Sequence, residues 1–366
     1  MEIVELTQTN SKVVVTQAVK ALCAGGLVLY PTETVYGAGV DATNQAAVDK
    51  LLQYKSRREG KPLSIAVRDQ VMAEQFVEVN DQARQLYQQF LPGPMTVISQ
   101  VKPDSQQLAH GVASEFNSLG IRISSHPFVE AMVTKFGIPI TSTSANSSGK
   151  RRPYSISQIL DNLSEKQKSL IDLIIDAGTL PTNLPSTVID TTLSTPVVFR
   201  QGTLLDTSSK ATNLISVSEA ETKAIAGKLL LKHWDRLKTR PVVFGLNGPL
   251  GAGKTIFAKG IAEFLNIQAT LVSPTYSYIE EYEFTRNQTS GKLQHIDVWK
   301  VDSLDMFKRL EIEQLLLPNT ILVIEWFSQI AEWIQPSLNS SKSNLITVDI
   351  IDQNDQRELT ITETSL

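Results

Sequence analysis

An octapeptide, GPLGAGKT, restricts the possible folds of this chain more than any other segment. It matches the pattern G-x-x-x-x-G-K-[ST] and lies between an apolar run, VVFGLNG, and a segment with helical periodicity. In a strand-loop-helix of this kind, glycines let backbone N–H groups close around phosphate oxygens at the helix N-terminus. The predicted nucleotide-binding positions are Gly248, Gly251, Ala252, Gly253, Lys254 and Thr255. We expect ATP with Mg²⁺ as the ligand, with Lys254 at the terminal phosphates and the Thr255 hydroxyl in the magnesium shell.

A magnesium site beside such a loop also needs a carboxylate at the end of a neighbouring strand. Two apolar runs end in acids, since QHIDVW carries Asp297 and ILVIEW carries Glu325. Both are therefore candidate catalytic and metal-binding residues, and the pattern leaves open which of them serves magnesium. Between the loop and these strands lies SPTYSYIEEY, in which Ser273, Thr275 and Tyr276 are candidates for a loop that responds to the nucleotide.

A chain of 366 residues is long enough for two hydrophobic cores. The segment DTSSKATNLISV is polar and without periodicity, so we predict domains over 1–205 and 218–366 joined by a linker over 206–217. Upstream, short β-rich runs alternate with helical patterns, which predicts an α/β domain with a mixed sheet. Downstream, buried strand runs alternate with helices, which predicts a P-loop fold with a parallel-cored sheet.

Composition excludes several classes of protein. No run approaches the roughly 20 apolar residues of a membrane helix, and the start MEIVELTQTN is acidic where a secretory signal would be basic. One cysteine, Cys23, cannot form an internal disulfide, and the four histidines lack metal-ligand spacing. We therefore predict a cytoplasmic protein without a membrane partner or structural zinc. The excess of acidic over basic residues lies wholly in 206–366. We therefore do not expect this half of the chain to bind RNA or DNA by itself.

The N-terminal half contains three polar clusters. YPTETVYG follows an apolar run, the cations Lys55, Arg57, Arg58 and Lys61 crowd the end of a helical pattern, and PITSTSANSSGKRRP turns from a strand into small hydroxyl residues. Each cluster alone also fits an ordinary feature: a capped turn, a solvated basic helix end or a serine-rich loop. Together they favour a pocket that binds anions through cations and backbone N–H groups.

No nucleophile is evident in this half. Cys23 lies on an apolar helical pattern, and we expect it to be a buried structural thiol. Chemistry in such a pocket would depend on positioning reactants and neutralising charge, which suits adenylate formation with loss of pyrophosphate.

The order of YPTETVYG, KPL, LPGPMT, IRISSHP, TSTSAN, DAG with LPSTVID, and FRQG resembles the YrdC family of threonylcarbamoyl-AMP synthases, over about residues 10–203. The resemblance implies a twisted α/β sheet and the conversion of L-threonine, bicarbonate and ATP to threonylcarbamoyl-AMP and pyrophosphate. At matching positions it implies a threonine site of Thr32, Arg122, Ser142 and Ser186. It also implies an ATP site of Lys55, Arg57, Lys61, Ser144, Asn146 and Arg200, with the first three as the catalytic cations.

GPLGAGKT, SPTYSYIEEY, HIDVWKV and IEW, in that order, resemble the TsaE family of ATPases. Lys254, Thr255, Asp297 and Glu325 match the family motifs, whereas Pro249 stands where an aspartate is common. This resemblance implies an ATPase that assists tRNA threonylcarbamoylation by binding to a TsaB-TsaD complex. The chain would then interact with tRNA only indirectly, through that complex. We therefore predict a bifunctional fusion that acts in making threonylcarbamoyladenosine in tRNA.

Two other functions fit parts of the pattern. The chain could be a sensor that binds double-stranded RNA or a nucleotide, with the P-loop as a regulatory switch, but Lys55, Arg57, Lys61 and the STSAN string favour the enzyme. A small-molecule kinase in the C-terminal half would need a substrate-binding insert, and the sequence shows none.

Overall fold

The computed structural model describes residues 1–56, 63–103, 108–146, 152–200, 202, 211–269, 271–274, 277–286, 288–353 and 356–365. The chain divides into two compact units. Unit 1 comprises Met1–Thr192 with Pro196–Asp206, and unit 2 comprises Leu193–Thr195 with Thr207–Leu366. Among the helices in these described ranges, none combines the length and the hydropathy that crossing a bilayer requires.

Unit 1 contains twelve described strands and seven described helices. The strands are β1 (Glu2–Glu5), β2 (Val28–Tyr30), β3 (Gly37–Gly39), β4 (Ser64–Ala66), β5 (Val77–Glu78), β6 (Met95–Val101), β7 (Ser118–Arg122), β8 (Ile140–Thr141), β9 (Thr143–Ser144), β10 (Leu173–Asp176), β11 (Thr187–Asp190) and β12 (Val197–Arg200). The helices are α1 (Ser11–Cys23), α2 (Gln45–Lys55), α3 (Gln70–Ala73), α4 (Asp81–Phe90), α5 (Pro127–Phe136), α6 (Ile156–Leu160) and α7 (Glu165–Lys168).

The described strands of unit 1 form two sheets, and both mix parallel and antiparallel pairs. The first has the order β1-β10-β2-β3-β9, and the second follows β12-β11-β6-β7-β4-β8 with β5 beside β6. In the second sheet β11 runs parallel to β6, whereas β6 and β7 are antiparallel. The predicted mixed α/β sheet is therefore confirmed.

Helix α1 shows how the apolar pattern builds the core of unit 1. Val14, Ala18 and Leu22 recur at every fourth position and are buried, and the helix packs on α5. Cys23 follows Leu22 by one position, which turns its side chain about 100° around the helix axis. Cys23 is exposed, so the expectation of a buried structural thiol is wrong.

Strand pairing joins two of the polar clusters recognised in the sequence. Gly37 of β3 lies opposite Ser144 of β9, and Ala38 lies opposite Thr143. Gly39 permits the close approach, since a methyl group there would lie 2.6 Å from the carbonyl oxygen of Thr141. The turn after β2 is therefore held beside the serine-rich segment, although the two are more than 100 residues apart in the sequence.

The described part of unit 2 is a seven-stranded sheet with helices. Its strands are β13 (Ala211–Ser216), β14 (Val242–Asn247), β15 (Ile279–Arg286), β16 (Thr289–Asp297), β17 (Thr320–Glu325), β18 (Asn344–Gln353) and β19 (Gln356–Ser365). Its helices are α8 (Glu219–His233), α9 (Lys254–Phe264), α10 (Leu304–Arg309) and α11 (Ala331–Ser340), with three short 3₁₀ turns at Trp234–Arg236, Ile312–Leu315 and Phe327–Gln329.

The strand order of unit 2 is β13-β19-β18-β14-β17-β16-β15. The four central strands β18, β14, β17 and β16 are parallel, which confirms the predicted parallel-cored P-loop fold. Because β14, β16 and β17 point the same way, their carboxyl ends meet at one edge of the sheet. That edge carries the loop after Asn247 and the two acids that end β16 and β17.

The predicted linker over 206–217 is wrong for residues 211–216, which form the edge strand β13. This strand pairs antiparallel with β19, from Ala211 opposite Thr362 to Ser216 opposite Arg357. Leu214 and Ser216 are buried while the residues between them and beside them are more open. An edge strand with one buried face needs few apolar residues, so the Ser/Thr-rich composition concealed it.

Candidate functional sites

The phosphate-binding loop of unit 2 depends on three glycines with positive φ. Gly248, Gly251 and Gly253 have φ values of 138°, 81° and 109°. A methyl group at Gly248 would lie 2.2 Å from the carbonyl oxygen of Ile350, and one at Gly253 would lie 2.7 Å from Nε of Arg357. Glycine is therefore needed at these positions both for the backbone conformation and for the contacts with β18 and β19.

Lys254 is the first residue of α9, and its side chain extends back to the loop that precedes the helix. Its Nζ donates to the carbonyl oxygens of Gly248, at 2.8 Å, and Pro249, at 2.9 Å. The same Nζ lies 3.9 Å from the ring centroid of Trp326, a distance that allows a cation-π interaction. Burial lowers the pKa of Lys254, and the negative charges of Glu325 and Asp297 partly oppose this shift.

Two buried acids lie opposite each other at the edge of the sheet. Asp297 and Glu325 are register partners on β16 and β17, and each is 3% exposed. Glu325 Oε1 accepts hydrogen bonds from Thr255 Oγ1 and His295 Nε2, both at 2.9 Å. Asp297 accepts a hydrogen bond from Ser273 Oγ at 3.0 Å. Both candidate acids thus reach the predicted site, and Glu325 is the one that contacts Thr255.

One cavity of about 490 Å³ is lined by the residues Leu250, Gly251, Gly253, Lys254, Thr255, Ile256, Ser273, Asp297, Trp299, Glu325 and Trp326. Thr255, Ser273, Asp297 and Glu325 all offer oxygen atoms for metal coordination. Oxygen is the ligand type that Mg²⁺ prefers, so these residues fit this ion. Of the loop predicted to respond to the nucleotide, Ser273 reaches the cavity, whereas Thr275 and Tyr276 lie outside the described residues.

His295 is a site residue that the sequence analysis did not propose. It lies two positions before Asp297 on β16, so both side chains point to the same face of the sheet. Its side chain is fully buried and contacts Glu325 directly. The alternation along HID was the signal that could have placed it beside the two acids.

Unit 1 contains a polar cavity of about 210 Å³. It is lined by Thr32, Thr34, Val35, Gly37, Ser64, Thr96, Arg122, Ser142, Thr143, Ser144, Arg152, Pro185, Ser186, Val188 and Arg200. Among these described lining residues there are eight hydroxyl side chains and three guanidinium groups, and none is an acid. Such a lining favours anionic ligands with several oxygen atoms.

Arg122, at the end of β7, is nine-tenths buried and paired with Glu33. Its Nη2 lies 2.6 Å from Glu33 Oε1, and Ser124 Oγ donates to the other oxygen of the same carboxylate. The buried Nε atom of Arg122 has no hydrogen-bond partner among the described residues. A buried guanidinium with an unused donor is consistent with a site for an additional acceptor.

Arg200, at the end of β12, is fixed by Ser186. Its Nε donates to the Ser186 carbonyl oxygen at 2.9 Å, and its Nη2 donates to the Ser186 hydroxyl at 2.7 Å. Burial lowers the pKa of Arg200 to about 10, and the positive charges of Arg122 and Arg152 add to the shift. The cavity therefore has a concentrated positive potential.

Lys55, the last residue of α2, lies against the backbone of the serine-rich segment. Its Nζ donates to the carbonyl oxygens of Ser144, at 2.6 Å, and Asn146, and the residue is 4% exposed. It holds the chain that follows β9, and neither Lys55 nor Asn146 is among the residues that line the cavity. Arg57 and Lys61, the other predicted catalytic cations, lie outside the described residues.

The cavity thus brings together Thr32, Arg122, Ser142, Ser144, Ser186 and Arg200, all of which the sequence analysis named. It also contains Thr34, Ser64, Thr96, Thr143 and Arg152, to which the sequence analysis assigned no individual role, although Thr34, Thr143 and Arg152 lie in the polar clusters that it named. Arg152 lies near the end of PITSTSANSSGKRRP, and its cationic side chain was the available signal.

Two family models match the chain. One, described as Sua5/yciO/yrdC and telomere recombination, matches residues 20–202. The other, described as threonylcarbamoyl adenosine biosynthesis protein TsaE, matches residues 216–359. The two matches follow one another along the chain without overlap.

Known proteins resemble unit 1 in sequence. A putative threonylcarbamoyl-AMP synthase of Methanocaldococcus jannaschii is 34% identical over 204 residues, which is 56% of this chain and 93% of that protein. A threonylcarbamoyl-AMP synthase of Photobacterium profundum is 33% identical over 180 residues, or 48% of this chain and 96% of that protein.

Among solved structures, P. abyssi Sua5 complexed with L-threonine has a TM-score of 0.50 at 20% identity, covering 88% of this chain and 91% of that one. At this identity the likeness concerns the fold alone. From the family model over half of its length and the relatives of unit 1, the chain belongs to the Sua5/YciO/YrdC family, and its C-terminal part contains a domain that matches the TsaE model.

Proposed function

We propose that unit 1 converts L-threonine, bicarbonate and ATP into threonylcarbamoyl-AMP, pyrophosphate and water. The M. jannaschii and P. profundum relatives bear the name of this activity, and the chain spans nearly all of their length. The observation that carries the proposal is the cavity in which three guanidinium groups face eight hydroxyl groups. The chain is in this sense a nucleotidyltransferase that also contains an ATPase domain.

The residues of the cavity suit the two kinds of substrate. A triphosphate carries several negative charges, and Arg122, Arg152 and Arg200 supply positive charge around it. Threonine offers a carboxylate and a hydroxyl, which Arg122 and the hydroxyls of Thr32, Ser142 and Ser186 are suited to bind. Lys55 contributes by holding the backbone at Ser144 and Asn146 in place.

The proposed chemistry needs no nucleophile from the protein. The threonine nitrogen attacks the carbon of bicarbonate, water leaves, and N-carboxylated threonine forms. An oxygen of this new N-carboxylate then attacks the α-phosphorus of ATP, and the bond from that phosphorus to the bridging oxygen of the β-phosphate breaks as pyrophosphate leaves. Negative charge grows on the leaving group, and fixed guanidinium groups around the cavity stabilise it.

The test measures pyrophosphate release from ATP by the full chain, with and without threonine and bicarbonate. The Lys254→Ala variant is run in parallel, so that ATP use by unit 2 does not contribute. We expect release that requires threonine and that is lost in Arg200→Gln, because Arg200 holds Ser186 at the cavity. Absence of threonine-dependent pyrophosphate from the unsubstituted chain would refute the assignment.

For unit 2 we propose an ATPase that uses Mg²⁺ and assists a TsaB-TsaD-like complex in transferring the threonylcarbamoyl group to tRNA. When bound, Mg²⁺ would neutralise charge on the phosphates, and Thr255, Asp297 and Glu325 are the residues suited to hold it, directly or through water. Lys254 would contact the terminal phosphates. We also propose that the protein acts in the cytoplasm.

Exposed apolar side chains near the nucleotide cavity support a protein partner for unit 2. Leu250 is 91% exposed and Trp299 is 46% exposed, and both line the cavity. Apolar groups held in solvent at a functional site are typical of protein-protein contacts. We expect ATP hydrolysis by the full chain to increase on addition of TsaB-TsaD, and Leu250→Ser to reduce this increase. Equal hydrolysis with and without TsaB-TsaD would contradict the partner.

A further inference from the structure

We propose that Arg152 is a polyphosphate-binding residue of the unit 1 cavity, one that retains the β- and γ-phosphates of ATP and the pyrophosphate product. This inference rests on the proposed function of that cavity. It assigns a role to a residue that lies in the segment PITSTSANSSGKRRP but that the sequence analysis did not name as a site residue.

The three guanidinium groups of the cavity differ in what holds them. Arg122 is paired with Glu33, and Arg200 is fixed by both oxygens of Ser186. Arg152 has no hydrogen bond or ion pair within the parts of the chain that the structure describes. Of the three charges, that of Arg152 is therefore the one that the described residues leave without a partner and open to an incoming anion.

The backbone beside Arg152 is nevertheless anchored at the site. The carbonyl oxygen of Pro153 accepts a hydrogen bond from the Tyr36 N–H at 3.2 Å. The next residue, Tyr154, accepts a hydrogen bond from the Leu180 N–H through its carbonyl oxygen at 2.8 Å. The side chain of Arg152 thus extends from a backbone that is anchored beside β3, so ligand binding does not have to order the backbone there.

Charge favours a polyphosphate over a singly charged ligand. Glu33 balances Arg122, and the described lining residues include no acid to balance Arg152 and Arg200. Arg152 is close enough to Arg200 to disfavour its protonated form electrostatically. A threonine carboxylate would neutralise only one of the positive charges of Arg152 and Arg200. A diphosphate or triphosphate neutralises both, and its oxygen atoms can accept hydrogen bonds from both guanidinium groups.

The experiment titrates ATP, inorganic pyrophosphate, AMP and threonine into the full chain by calorimetry. All proteins carry Lys254→Ala, so that unit 2 does not bind the nucleotides. Arg152→Gln removes the positive charge, and Arg152→Lys keeps the charge but lacks the planar guanidinium group that can donate two parallel hydrogen bonds. Arg68→Gln is the matched control, because Arg68 is an exposed arginine that pairs with Asp69 and is absent from the cavity lining.

We expect Arg152→Gln to weaken binding of ATP and pyrophosphate about tenfold, the usual effect of losing a hydrogen-bonded charge. Arg152→Lys should show a smaller loss, and Arg68→Gln none. AMP and threonine affinities should stay unchanged, and added salt should reduce the difference between Arg152→Gln and the parent protein.

Unchanged pyrophosphate affinity in Arg152→Gln would overturn the inference, as would an equal loss of affinity for AMP. A loss confined to threonine would reassign Arg152 to the amino-acid site and also overturn it. The proposed synthase activity is tested by a separate result. If the parent protein releases no threonine-dependent pyrophosphate but Arg152→Gln still weakens pyrophosphate binding, the synthase proposal is refuted and the role of Arg152 stands.

Discussion

Nε2 of His295 lies 2.9 Å from Oε1 of Glu325, and the two side chains are 0% and 4% exposed. The same oxygen accepts the Thr255 hydroxyl at 2.9 Å. A buried carboxylate is costly unless several donors satisfy it, so His295 stabilises the charge that orients Thr255. His295 is thus a positioning residue for the phosphate-binding loop, acting through Glu325.

Replacing His295 separates this positioning role from simple packing. His295→Leu should weaken Mg²⁺-dependent nucleotide binding about tenfold or more, the range typical for groups that orient metal-site residues. His295→Gln can still donate to Glu325 and should retain most of the affinity. Calorimetric titration with ATP is made with Mg²⁺ and with a chelator, and the affinity without Mg²⁺ should change little. Equal behaviour of the Leu and Gln variants would show that the hydrogen bond is not what matters.

Lys254→Ala should remove nucleotide binding by unit 2 and leave pyrophosphate release by unit 1 intact. The reason is that Lys254 is the cation inside the phosphate-binding loop, whereas the arginine cavity lies wholly within the other unit. Lys308→Ala, on the exposed surface of α10, is the control. Both activities are measured on the same preparations, and joint loss would mean that the two sites are not independent.

The glycines of the loop should differ in their tolerance of alanine. Gly251→Ala meets no atom within 4 Å and should cost about 1 kcal/mol of backbone strain in the free energy of unfolding. Gly248→Ala meets the Ile350 carbonyl oxygen at 2.2 Å and should cost at least about 3 kcal/mol.

Denaturant unfolding followed by tryptophan fluorescence measures this difference, since all four tryptophans, Trp234, Trp299, Trp326 and Trp333, lie in unit 2. Equal losses of stability in the two alanine variants would contradict the close contact between the loop and β18.

The free energy of unfolding of unit 1 should decrease as the pH is lowered, because of His126. Burial lowers the pKa of His126 from 6.5, with Glu33 partly opposing, and its Nδ1 accepts the Phe128 N–H at 3.3 Å as the cap of α5. The unfolded state therefore binds the proton more readily, so the free energy of unfolding decreases as pH falls below the unfolded pKa toward the folded one.

His126→Asn keeps a capping side chain and removes the titration. Hydrogen exchange of α5 is compared at about pH 7.5 and about pH 5.5, after correction for the intrinsic exchange rate, around the ordinary histidine pKa. Protection should fall more in the unsubstituted protein than in His126→Asn. A steeper loss in the asparagine variant would show that other groups govern this pH range.

Motifs in the sequence were sufficient to predict two α/β units, because local patterns encode them. The strand-loop-helix around Lys254 needs only a glycine pattern between apolar periodicities, and the ordered motifs of the first half identify its family. The same local reading failed at β13, where one buried face of an edge strand left a polar sequence that resembles a linker. It also failed at Cys23, because one position along a helix decides between the core and solvent.

Tertiary structure decided which polar groups share a site. Thr32, Arg122, Ser144 and Arg200 meet in one cavity only because β3 pairs with β9 and the second sheet brings the ends of β7 and β12 to it. The partners of Glu325 likewise depend on the parallel register of β16 and β17. Motifs determined the chemical types of residue, whereas long-range strand pairing set their distances, which no local pattern contains.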